Sequence, residues 1–147
     1  MGADGAAWRA NRRTTASAHQ AALERRRAAD ADRARGLLAD FVRESRELGP
    51  APVQLRVRSN DGRHRYRTDL AGWYLKQNES LAVGTDGEFY VLSVPPSVAA
   101  WFRGATLTPS DPPLVLGAGG RDGESIDLSA ALDRVRARRG GSPGQTP

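Results

Sequence analysis

The apolar positions of this chain change their period near residue 50. From Thr15 to Leu48, Ala34, Leu37, Leu38, Phe41, Val42, Ser45 and Leu48 recur at steps of three and four, the spacing of one helix face. Between residues 15 and 33 the stripe thins to Leu23 and alanines. No proline interrupts the run, and Gly36 is its one glycine among strong helix formers. The pattern predicts one long helix, or two stacked segments, over 15–48, with its C-terminal half docked on a core and its N-terminal half projecting. Gly49-Pro50 is a stop signal, glycine for a left-handed cap and proline because it cannot continue the ladder.

Beyond the stop the period becomes two. Val53, Leu55 and Val57 alternate with Gln54, Arg56 and Arg58. Asp61-Gly62 predicts a two-residue hairpin turn with positive φ at both positions. That turn sets Arg58 opposite Arg65, Val57 opposite Tyr66 and Arg56 opposite Arg67. A third strand is expected over Gly72–Lys76, and a second hairpin about Asp86-Gly87 places Val83 opposite Tyr90 and Leu81 opposite Leu92. Both faces of this second hairpin are apolar, which places it centrally under the docked helix. Ser97 opens a short helix over 97–103 with Gly104 as its stop, a three-proline loop follows, and a strand at 114–116 and a helix at 129–138 complete the reading.

The fold class is therefore α+β: a long N-terminal helix packed on a four- or five-stranded antiparallel meander (52–94), either open or curled into a small barrel, with a short C-terminal helix. One domain spans 15–138, between a disordered basic N-terminus (1–14) and a disordered tail (139–147).

Composition narrows the chemistry. Zero cysteines exclude disulfides, thiolate metal sites and Cys nucleophiles, and His19 and His64 alone cannot build an imidazole metal site or a His-dependent triad with any ready partner. No nucleophile–base pair emerges, so neither an enzyme nor a cofactor or metal is expected. No apolar run approaches a membrane span and no signal-peptide stretch opens the chain, so the expected setting is cytoplasmic, away from membranes. The formal charge is +5, and Lys76 is the one lysine among 22 cationic residues. Such a balance fits the codon usage of a GC-rich genome, and it also makes nearly every cation a planar fork suited to phosphate or carboxylate. The excess lies toward the ends: residues 1–50 and 128–147 are each +3, whereas 51–127 is −1. Arg9, Arg12, Arg13, Arg134, Arg136, Arg138 and Arg139 read as flexible basic arms or as solubilising tails.

The candidate site is the arginine face of the first hairpin, Arg56, Arg58, Arg63, Arg65 and Arg67. Like charges directly opposite one another destabilise a sheet, so folding alone would not select them. An anionic partner, either nucleic acid or an acidic protein surface, would relieve the repulsion. The competing reading is a solvated edge hairpin whose arginines splay into water, block aggregation or pair with acids of the long helix. A second candidate is a partner or homo-oligomer face on the helix at Leu37, Leu38, Phe41 and Val42, opposed by the simpler reading in which those residues dock on the sheet.

Trp73-Tyr74-Leu75, just after the Arg-rich hairpin, resembles the WYL domain, a small Sm-like barrel of bacterial transcription regulators. The resemblance rests on this tripeptide, covers at most residues 53 to 94 and implies a ligand- or nucleic-acid-sensing module. The strand Phe89–Val94 lacks the arginine expected in that family, and no winged helix-turn-helix precedes the tripeptide. Without the resemblance, Trp73 and Tyr74 are strand aromatics, one on each face. Gly117–Gly123 precedes a helix as phosphate loops do, but Asp122 stands where Gly-x-Gly-x-x-Gly needs glycine, so it reads as a connector. Asp122, Glu124 and Asp127 lack a full calcium-loop pattern.

The functional expectation is a non-enzymatic binding module that meets nucleic acid or another polyanion through the hairpin and basic termini, as an accessory or regulatory factor. The alternative is an assembly component that uses the long helix and an acidic partner.

Overall fold

Alanine, arginine and leucine carry a single helix, α1 (Gly2–Leu48), through the first third of the chain in the computed structural model, which describes residues 2–117 and 125–139. The segment expected to be disordered is thus helical from Gly2, and α1 begins well before Thr15. Local interactions explain the extension. Asp4 lies in the first turn, where the helix dipole favours negative charge. Arg9 Nε donates to the Gly5 carbonyl at 3.1 Å, and the Arg12 guanidinium sits 4.7 Å from the Trp8 ring centre. Residues 4–20 are exposed on every side, so this stretch rests on intrinsic propensity rather than burial.

The second half of α1 has a different support. Ala31, Ala34, Leu38, Phe41 and Val42 are buried. All but Ala31 join a core made with Trp73, Leu75, Val83 and Phe89 below them and with Leu128, Ala131, Leu132 and Val135 beside them. Phe41 meets Trp73 edge to face with ring centres 5.4 Å apart, and Trp73 Nε1 donates to the Pro50 carbonyl at 2.8 Å. The stop that ends α1 is thereby tied to the sheet.

Five strands form that sheet: β1 (Val53–Ser59), β2 (Arg65–Tyr74), β3 (Leu81–Gly84), β4 (Phe89–Val91) and β5 (Ser93–Val94), in the order β4-β3-β2-β1-β5. Pairing is antiparallel except between β1 and β5, which run parallel. Leu92 alone separates the two edge strands in sequence, so the sheet curls around Leu55, Val57, Tyr66, Ala82, Tyr90 and Leu92. No ladder joins β4 to β5, and the sheet is not closed into a barrel. Trp73 and Val83 face α1, whereas Tyr74 and Ala82 face the inside of the curl. That two-sided burial is what the apolar second hairpin requires.

Three local expectations are corrected. The strand expected at Gly72–Lys76 is the continuation of β2, bent at an irregularity between Gln54 and Arg56 where Thr68 Oγ1 donates to the Leu55 carbonyl at 2.7 Å. Both Asp-Gly turns place only the glycine at positive φ, Gly62 at 75° and Gly87 at 81°. Gly62 N donates to the Ser59 carbonyl and Gly87 N to that of Gly84, each closing a turn whose aspartate keeps an ordinary φ. In the second hairpin the resulting three-residue loop shifts the register by one, so Val83 faces Phe89 and Leu81 faces Val91.

Ser97 caps α2 (Val98–Arg103), its Oγ accepting from Ala100 N at 3.2 Å, and Gly104 at φ 84° ends it. β6 (Val115–Leu116) pairs with β7 (Ile126–Asp127), a small ribbon that leads into α3 (Leu128–Arg136), where the sequence pattern pointed to 129–138. Residues 118–124, including Asp122 and Glu124 and most of the glycine-rich connector, and the tail from 140 lie outside the described residues.

Two of the arginines read as basic arms are fastened to α1. Arg136 Nε reaches Glu44 at 3.1 Å and its guanidinium lies 5.6 Å from the Phe41 ring centre. Arg139 Nε donates to the Gly49 carbonyl at 2.6 Å and its Nη2 to Ser45 Oγ at 3.3 Å, so a cation covers the negative end of α1. Arg139→Ala is expected to cost about 1–2 kcal/mol, because it leaves partly buried acceptors without a charged donor. A thermal melt should therefore fall by several degrees, at roughly 2–4 °C per kcal/mol for a chain of this size. An unchanged melt would show that the clamp contributes nothing.

Candidate functional site

The turn residues organise the first hairpin. Asp61 Oδ1 accepts from Ser59 Oγ at 2.5 Å and from Arg63 N at 3.0 Å, while Ser59 N donates to the His64 carbonyl at 2.9 Å. These bonds, led by that from the Ser59 hydroxyl, hold the Asp61 carboxyl below its ordinary pKa, with the nearby charges of His64 and Arg63 adding to the effect. The four-residue loop keeps the expected pairing: Arg56 faces Arg67, Val57 faces Tyr66 and Arg58 faces Arg65.

Alternation then does the sorting. Leu55, Val57, Ser59, Tyr66 and Thr68 turn into the curl, and Arg56, Arg58, Arg65 and Arg67 are exposed on its outer side as two arginine–arginine rungs. Arg63 is exposed as well, but it belongs to the loop before β2 and not to the ladder. Arg65 Nη2 pairs with Glu79 Oε2 at 2.5 Å, on side chains close to half exposed, so the pair holds little energy in water. Among the described residues no acidic side chain pairs with Arg56, Arg58 or Arg67. Of the acids of α1, Asp32 pairs with Arg35, Asp40 with Arg43 and Glu44 with Arg136 and Arg139, and among the described residues none pairs with the hairpin arginines.

The helix face at Leu37, Leu38, Phe41 and Val42 lies in the first core, with Leu38, Phe41 and Val42 buried and Leu37 packed against them. Intramolecular docking consumes it, so it offers no seam to a partner. Among the described residues no helix is long and apolar enough to cross a membrane.

One feature of the hairpin escaped the sequence reading. His64 stacks against Tyr66 with ring centres 6.1 Å apart and meets Trp101 of α2 edge-on at 5.8 Å. Tyr66 Oη accepts from Ser97 N at 3.0 Å, which fixes α2 beside β2. The three rings, with Pro96, Ser97 and Val98, line an open cleft of about 270 Å³. The signal was present in the i, i+2 spacing of His64 and Tyr66, but the contribution of Trp101 comes from far along the chain. Compared with known proteins, the chain matches no family model, no curated protein and no solved structure.

Proposed function

We propose that this protein is a binding module, not an enzyme, that lays the outer face of its first hairpin along a nucleic-acid backbone. The observation that carries this reading is the pair of arginine rungs, Arg56 with Arg67 and Arg58 with Arg65, repelling across a ladder that any neutral polar side chains would have stabilised better. Exposed guanidinium groups on adjacent strands can meet phosphate oxygens, each fork able to donate two charge-assisted hydrogen bonds. Such contacts position a backbone without reading its sequence, which suits an accessory or regulatory role.

The test is an anisotropy titration of labelled oligonucleotides with the full chain at several salt concentrations. Four phosphate contacts should weaken binding roughly a hundredfold between about 50 and 200 mM salt, by counterion release. Binding that is absent even at the lowest salt would refute the reading and turn the search to an acidic protein surface.

A further inference from the structure

On the reading that the hairpin contacts nucleic acid, we propose that the preferred ligand is single-stranded, with one unpaired base seated against Trp101 and His64 while its flanking phosphates lie on the arginines. α2 is docked through Ala100 alone among its buried residues, yet it exposes Val98 (76%), Trp101 (59%) and Phe102 (73%). Three large apolar side chains on one six-residue helix exceed what holding α2 in place requires, and such a patch marks a contact surface.

Its surroundings identify the occupant. His64 stands between Arg63 and Arg65 in the chain, whereas Arg103, two residues after Trp101, lies on another side of α2 with Ala99 and Ala100. Among the described residues no acidic side chain forms an ion pair with Arg63, and the Asp61 carboxylate beside it is taken up by Ser59 and the turn backbone. Arg63 adjoins His64 in the hairpin loop, and the exposed rungs of Arg56, Arg58, Arg65 and Arg67 lie on the other face of the same two strands, so the fitting occupant carries a flat π-face and a phosphate together, as a nucleotide does. Along Arg65–Thr68, β2 has no strand on the side facing α2, where the Arg67 carbonyl accepts from Ala105 N at 2.7 Å. The arginine face and the aromatic cleft therefore meet around one edge of the hairpin. A flexible strand can turn that edge. A stiff duplex keeps its bases stacked inside and cannot offer one to the cleft.

The experiment compares a labelled oligothymidylate with a mixed-sequence duplex of equal length, for the wild type, Trp101→Leu and Trp101→Phe. Expected are tighter binding of the single strand, a loss of roughly tenfold for Trp101→Leu on that strand alone, and partial recovery with Trp101→Phe. Circular dichroism confirms folding, which a side chain this exposed should not govern. If Trp101→Leu binds the single strand as the wild type does, base stacking is overturned while the arginine reading stands. If neither oligonucleotide binds at low salt, both readings fall.

Discussion

Gly72→Ala is expected to abolish cooperative folding or to lower stability by at least about 3 kcal/mol, out of roughly 5–15 kcal/mol for a natural domain. Gly72 sits in β2 between two partners, Val53 on β1 and Gly84 on β3. A methyl group there would lie 2.1 Å from the Val83 carbonyl oxygen and 2.8 Å from Gly84 Cα. Both are backbone atoms of the adjoining strand, so no side chain can swing aside and the strands themselves must separate. Gly84→Ala is the informative comparison. Its first clash, at 2.5 Å, is with the end of the Asp86 side chain, which can move. Moving it breaks the 2.6 Å hydrogen bond by which Tyr90 Oη donates to Asp86 Oδ2. The cost should be smaller and should also be visible as a lowering of the Tyr90 pKa, which burial and the Asp86 carboxylate now raise above its ordinary value. Urea denaturation followed by circular dichroism decides the order, and a Gly72→Ala midpoint equal to that of the wild type would contradict the geometry.

Reversing the charge of Arg58 and Arg67 together should separate binding from stability in opposite directions. Arg58 faces Arg65 and Arg67 faces Arg56, so Arg58→Glu with Arg67→Glu turns two like-charged rungs into two opposite-charged ones. Each rung should gain up to about 1 kcal/mol. The melt should therefore rise by a few degrees. Binding should move the other way, because two phosphate contacts are lost and two repulsions introduced, a weakening of at least a hundredfold at low salt. A variant that gains stability yet keeps its affinity would remove these arginines from the interface. A variant that loses both would show that the arginines belong to the folding of the hairpin.

Much of this architecture is legible in the order of residues. The docked half of α1, the pairing of Arg58 with Arg65, the Ser97 cap and the apolar faces of Trp73 and Val83 all follow from periods of 3.6 and 2 and from turn chemistry. The errors share one physical origin, in that short patterns do not report what a residue meets later. Asp-Gly satisfies both a mirror-image turn and an ordinary turn followed by a left-handed glycine, and only the second leaves Asp61 and Asp86 free to accept backbone hydrogen bonds. For residues 2–14 no apolar stripe signals a helix, and the helix there needs none. Arg136 and Arg139 read as solvated because Glu44 and the Gly49 carbonyl lie some ninety positions earlier in the chain. At the candidate site, the four strand arginines follow from alternation alone. The aromatic cleft does not, since Trp101 reaches His64 only once α2 is in place.

The proline-rich connection between α2 and β6 has a consequence for the protein in a crowded solution. Ala105 N bonds the Arg67 carbonyl at the open flank of β2, and Ser110 N bonds the Phe89 carbonyl on the outer flank of β4 at 2.9 Å. Between and beyond these stitches stand Pro109, Pro112 and Pro113, which have no N–H to offer. A visiting strand seeking to extend the sheet there would meet the Arg67 and Phe89 carbonyls already in use and prolines that cannot donate. At these two flanks, strand addition, the hazard inherent in unpaired β edges, is hindered by connectivity as well as by surface charge.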